Sequence, residues 1–237
     1  MATDVHDAAE FYATARGAVA AKLLRERLAL LWPSCAGQTL LGIGYAAPYL
    51  RLWRDHARHC LAMTPAQVGV ARWPAGAANL SFTAEEDALP FPDLSFDRIL
   101  MVHGLDAADN ARAMLREAWR VLKDDGRLLV VAPNRTGMWA HMESTPFGHG
   151  RPYSPGQIGR LLAAAMFRVE RRDTALFVPP SRLRLVLRSA RVWESAGRYI
   201  APQFAGVTIS EAVKDVYAAI PLKLAPRRRR LVLAEAA

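Results

Sequence analysis

Apolar and polar positions along the chain alternate between long periodic stretches and short compact runs. From about Ala8 to Trp32, Ala20, Leu24, Leu28 and Leu31 recur at helical spacing, with Arg25 and Arg27 elsewhere on the turn; this predicts one or two amphipathic helices. Pro33 and Gly37 break the pattern, and Thr39 to Ile43 reads as a short buried strand. Pro48 to His56 is expected to be a helix, since proline is tolerated in a first turn. His59 to Met63 reads as a second strand, Thr64-Pro65 as the opening of a turn or helix, and Asn79 to Thr83 as a third strand. After a two-proline loop, Leu89 to Asp93, the stretch Phe96 to His103 is a strong strand. Ala108 to Leu122 places Leu115, Ala118, Trp119 and Leu122 on one helical face, and Asp125-Gly126 turns into a strand from Arg127 to Ala132. An irregular stretch covers roughly Arg135 to Tyr153. Ser154-Pro155 caps a helix to about Ala165, Phe167 to Pro179 reads as a strand, Arg182 to about Tyr199 as an arginine-rich helix, and Thr208 to Tyr217 as the last strand and its continuation. Strands that alternate with helices predict an α/β doubly wound sheet.

The 237 residues are expected to form a single domain, 1–237, with 1–36 as an N-terminal helical segment. Hydrophobic content of 52% and charged content of 22% suit a globular protein, and no apolar run is long enough to cross a membrane. Met1 to Glu10 lacks the basic start of a signal peptide. Cys35 and Cys60 form neither a disulfide framework nor a metal spacing, so no metal and a cytoplasmic setting are expected. The net charge of +9 is almost all arginine; only Lys22, Lys123, Lys214 and Lys223 are lysines. Coding bias accounts for this as readily as a partner with phosphates or carboxylates does. Arg227 to Arg230 reads as a solvated tail or the rim of a last strand, and no aromatic residues are interleaved with it, so nucleic acid is weakly supported. No membrane contact is expected.

Leu40-Leu41-Gly42-Ile43-Gly44-Tyr45-Ala46-Ala47-Pro48 runs an apolar strand into a glycine turn, where the backbone can approach a nucleotide-like ligand. That turn, the acidic Glu85 to Phe91 segment, Ser95 to His103, and Leu115 to Leu128 follow one another in an order that resembles the class I S-adenosylmethionine (SAM) dependent methyltransferases, particularly the methyltransferase-11-like group. The resemblance covers about residues 39 to 134 and implies a Rossmann-like sheet, mostly parallel with an antiparallel edge hairpin, helices on both faces, and SAM as cofactor. Residues 37–134 become the cofactor-binding half, and 135–237 the substrate loop, last strands and tail.

The resemblance implies cofactor contacts at Gly42, Gly44, Tyr45, Met63, Thr64, Glu85, Glu86, Asp87 and His103. The chain departs from the pattern twice: leucine stands at position 40, and the second strand ends in Met63-Thr64-Pro65 without a carboxylate for the ribose. Thr64 or Gln67 could supply a weaker, neutral partner there. A carboxylate at Gly44 is expected to block the ligand while sparing the fold. His103 reads either as a hydrogen-bonded cleft-wall residue or as the catalytic group, a general base or acceptor-positioning side chain. Asn134, Arg135, His149, Arg151 and Tyr153, with His141, either line a substrate pocket or anchor their loop. Trp139 and Trp193 are expected to be packing residues. The function implied is methyl transfer to a small-molecule or macromolecular acceptor, a protein substrate among them. The alternative is a non-catalytic relative, a pseudoenzyme serving as a binding or regulatory subunit of a partner protein. The helix from Arg182 and the loop from Pro146 to Tyr153 are candidate subunit interfaces, including for a homo-oligomer.

Overall fold

Short apolar runs become the strands of one sheet. A computed structural model of the chain describes residues 5–65, 72–74 and 76–215. Its strands are β1 (Thr39–Gly44), β2 (His59–Pro65), β3 (Ser81–Ala84), β4 (Phe96–Val102), β5 (Leu122–Pro133), β6 (Phe167–Ala175) and β7 (Val207–Lys214). They lie in the order β3-β2-β1-β4-β5-β7-β6. The first five are parallel, and β7 inserts antiparallel between β5 and β6. This is the mostly parallel sheet with an antiparallel edge hairpin that the family resemblance implies.

Neighbouring side chains on each central strand go to opposite faces, the two-residue period of a strand. Leu40, Leu100 and Leu129 join one core cluster, while Leu41, Met101 and Val130 join the other. Helices cover both faces, so the middle of these strands, Ile99–Val102 in β4 and Leu128–Ala132 in β5, is apolar without alternation. The helices α2 (Ala15–Leu31) and α3 (Ala47–Leu50) close one face, and α4 (Ala111–Val121) and α5 (Pro155–Ala164) close the other. Helix α1 (Val5–Ala13) precedes α2, whose N-cap Thr14 accepts a hydrogen bond from Gly17 N. Helices α6 (Arg184–Arg188) and α7 (Ala190–Ile200) lie between β6 and β7 in the chain. The chain leaves β1 for β2 on one side and lies beside β4 on the other, so a crevice opens at their carboxyl ends.

Several boundaries differ from the sequence reading. The helix expected from Pro48 to His56 is only α3, followed by hydrogen-bonded turns; Trp53 donates its indole N–H to Trp32 O at 2.8 Å. Pro65 remains in β2, which pairs on through Pro65 with Ala84 of β3. The strand expected to reach Pro179 ends at Ala175, where Leu176 turns to a φ of 65°. The helix from Arg182 divides at Ser189, whose hydroxyl donates to Leu185 O and Val186 O, a local bond that competes with helical continuation. Gln67, Tyr217 and Arg227 to Arg230 lie outside the described residues.

Candidate functional site

The glycine turn is shaped first by the chain's own packing. Gly44 has a φ of 79°, and a Cβ there would lie 2.4 Å from Val102 O and 2.7 Å from Gly104 N. Tyr45 N donates to Val102 O at 2.7 Å, tying the turn to β4. A Cβ on Gly42 would meet Leu50 Cδ1 at 2.6 Å. The expectation that Gly44→Asp spares the fold is therefore corrected: any side chain there collides with backbone, and the change would test the β1–β4 junction before it tested a ligand.

A buried hydrogen-bonded chain sits at the carboxyl end of β4. His103, at the end of β4, has a φ of 51° and is buried. Its Nε2 lies 2.9 Å from the Tyr12 hydroxyl of α1, which accepts a bond from the Tyr49 hydroxyl at 2.8 Å. Burial pushes both phenols up from their usual range, Tyr12 well above it. Both therefore keep their protons, and each can donate. Tyr49 donates to Tyr12, and Tyr12 in turn can donate to Nε2, which leaves the imidazole proton on Nδ1. That atom faces Asp106 Oδ2 at 3.5 Å. Asp106 is 3% exposed, and its other oxygen has no partner among the described residues. Phe147 sets its ring 4.6 Å from the imidazole, and Tyr45 stacks on Tyr12 at 5.1 Å.

The other predicted residues are divided among different places. Glu86 turns inward, and its Oε1 accepts from Asn110 N at 2.7 Å, so it caps α4 and does not face the crevice; Glu85 and Asp87 are exposed. Met63 is fully buried in the sheet core beside Leu41 and Ile43, which gives its side chain a packing role. Thr64 carries its hydroxyl at the end of β2. Asn134 anchors its loop by donating to Gln203 O and Ala205 O, and it bridges to Tyr153, whose hydroxyl donates to Leu105 O. Arg151 N donates to Asp106 O at 2.8 Å, while the side chains of Arg151, Arg135 and His141 are exposed. His149 lines a cleft of about 360 Å³ that His103 does not line. Arg16, 7% exposed, lines the same cleft and donates to Ser144 O and Pro180 O. Trp139 is buried and donates to Val178 O, as a packing residue should. Trp193 is 44% exposed, contrary to expectation, because α7 turns that face outward.

Sequence reasoning missed Tyr12, Tyr49, Phe147 and Asp106. Of these only Asp106 carried a signal, standing three residues after His103 at a strand end. No group of three or more metal-ligating side chains occurs among the described residues. For an adenosyl sulfonium compound the exposed carboxylates of Glu85 and Asp87 after β3 fit in kind, whereas Tyr12 and Tyr45 turn a ring face against each other. On the ribose side the described residues offer the Thr64 hydroxyl in place of a carboxylate.

Comparison with known proteins gives this geometry a context. The family described as "Methyltransferase domain" matches residues 40–130. A demethylmenaquinone methyltransferase of Deinococcus radiodurans is 33% identical over 132 residues, which are 53% of this chain and 53% of that protein. The chain thus spans about half the length of that relative. Among solved structures, a SAM-dependent methyltransferase of Thermotoga maritima superposes with a TM-score of 0.61 at 18% identity, over 89% of this chain and 96% of the other. A methyltransferase of Haloferax volcanii, solved in complex with its Trm112 activator, gives 0.59 at 18% identity over 84% and 93%.

Proposed function

We propose that the protein, whose residues 40–130 match a methyltransferase-domain family and whose fold is that of SAM-dependent methyltransferases, transfers a methyl group from SAM to a hydroxylated aromatic acceptor. The observation that carries this reading is the Asp106–His103–Tyr12 chain at the mouth of the crevice. When bound, the cofactor supplies an electrophilic methyl group on a sulfonium. His103 Nε2 takes the proton of the acceptor hydroxyl, which makes the ring electron-rich; a ring carbon then attacks the methyl group, S-adenosylhomocysteine leaves, and loss of that carbon's own proton restores the aromatic ring. Asp106 keeps the proton-bearing Nδ1 turned away and favours the imidazolium that forms, so it is a positioning residue. Phe147 and the Tyr12–Tyr45 stack keep water from this corner and present flat apolar surfaces to a ring. The Tyr12 hydroxyl, 2.9 Å from Nε2, marks where an acceptor hydroxyl would bind. A ring acceptor also agrees with the name of the Deinococcus radiodurans relative, and a demethylated menaquinol analogue is the first compound to assay.

A second reading has its own observation. Tyr12 crosses the crevice, occupies Nε2 and stacks on Tyr45, while no carboxylate ends β2. These features favour a non-catalytic relative that binds a partner protein through the same fold. Calorimetric titration with SAM and S-adenosylhomocysteine separates the two. Saturable binding in the micromolar range, with methyl transfer to the quinol that falls about 100-fold in His103→Gln at unchanged cofactor affinity, supports the enzyme. No binding at millimolar ligand would sink it.

A further inference from the structure

The segment from Pro180 to Phe204 has a surface unlike the rest of the chain. Leu183, Leu185, Val192, Trp193, Tyr199 and Ile200 are all exposed, Leu185 and Ile200 at 80% and Tyr199 at 88%. Their arrangement follows from how α7 is held. Its inner face carries Ala190, Glu194 and Gly197: the Glu194 carboxylate accepts from Phe177 N at 2.6 Å, and Gly197 lies so close to Phe177 that a Cβ would come within 2.5 Å of its ring. With 3.6 residues per turn, Val192, Trp193, Ala196, Tyr199 and Ile200 then form one outward stripe. Arg191 and Arg198 lie along one edge of that stripe, and Arg182, Arg184 and Arg188 accompany the exposed leucines before and along α6.

The charge on this surface has one sign. The only acidic residue from 180 to 204 is Glu194, which is buried. Arg191 pairs with Glu26 of α2, but Arg184 and Arg188 make no ion pair among the described residues. Exposed apolar residues accompanied by cations mark an interaction surface. A second copy of the chain would set arginines against arginines, which like-charge repulsion disfavours. A nucleic acid would meet the cations but leave aliphatic side chains against a polar backbone. A bilayer rich in anionic phospholipid satisfies both parts: its phosphates face the guanidinium groups, and its acyl boundary takes Trp193, Tyr199 and Ile200.

We infer that α6 and α7 form an interfacial helix pair that seats the protein on anionic phospholipid surfaces. No described helix is long and apolar enough to cross a membrane, so the contact is with the surface alone. The inference does not depend on the methyl-transfer reading.

The test is co-sedimentation of the full chain with vesicles of phosphatidylcholine alone, or of phosphatidylcholine mixed with phosphatidylglycerol, at low and raised salt. The mixed vesicles should retain the protein at least about tenfold better than the neutral ones, with a loss at high salt. The triple variant Trp193→Ser/Tyr199→Ser/Ile200→Ser should lose most of that retention, as should Arg184→Gln/Arg188→Gln. Circular dichroism and melting temperature should be unchanged in both, since the altered side chains are exposed. Absence of retention on either vesicle would overturn the inference. So would retention that the triple variant leaves intact, or a wild-type dimer in sedimentation velocity that the triple variant dissolves.

Discussion

His103 is held in a left-handed backbone conformation that costs a non-glycine residue roughly 1 kcal/mol or more, and its neighbours fix it there. If Asp106 positions the imidazole, Asp106→Asn should lower kcat by about 10- to 100-fold and move the pH profile of the reaction, with SAM affinity unchanged by calorimetry. A flat effect on every parameter would leave Asp106 a packing residue. Gly44→Ala should destabilise the fold by about 2 kcal/mol or more in denaturant titration, because its Cβ meets Val102 O and its φ is positive. His103 and the glycine turn were legible in the sequence because each marks a strand end. Tyr12 was not, because it is 91 residues from the histidine it touches and carries no local signature.

At the scale of elements, capping decides which acids serve the site. Glu86 aligned with a ligand-binding segment, yet it bonds Asn110 N at the start of α4, while Asn110 itself accepts from Ala113 N. Glu86→Ala should therefore cost about 1 kcal/mol of stability in a denaturation curve and leave SAM affinity within experimental error. Loss of cofactor binding in a folded variant would return Glu86 to the site. The start of α5 was readable, since Ser154 and Gln157 form a capping box whose residues lie three apart. The division of α6 from α7 was not, because a serine within an apolar periodic run gives no sign of which carbonyls its hydroxyl will reach.

The whole molecule is basic, and its stability depends on a few well-held carboxylates. Glu211, 1% exposed on β7, accepts from Trp32 Nε1 at 2.8 Å and Arg171 Nε at 2.5 Å, with Arg127 at 3.4 Å. Burial alone would raise its carboxyl, but the bonds from Arg171 and Trp32 outweigh this and hold it below the usual range. Asp97 follows the same pattern: burial is opposed by Lys123 and by Thr39 N, and the net shift is downward. Lowered carboxyls bind fewer protons in the folded chain than in the unfolded one, so their stabilisation is full above the ordinary carboxylate range. It is lost as pH falls through the folded values. Urea midpoints measured across that window should drop on the acid side. Glu211→Gln should flatten the drop and cost about 1–3 kcal/mol at neutral pH. An unchanged acid limb would remove Glu211 from this role.

The antiparallel edge was expected from the family resemblance, whereas the sequence by itself determined the alternation of strands and helices, a doubly wound sheet and the glycine turn at the end of β1. Those features depend on local hydrophobic period, turn residues and the need to cover both sheet faces. Only the tertiary structure decided that Tyr12 meets His103, that Glu86 faces a helix end, and that Trp193 looks outward. Each of these depends on how a helix is rotated and seated against distant strands. That choice is made by the packing of many side chains at once, and no short stretch of sequence encodes it.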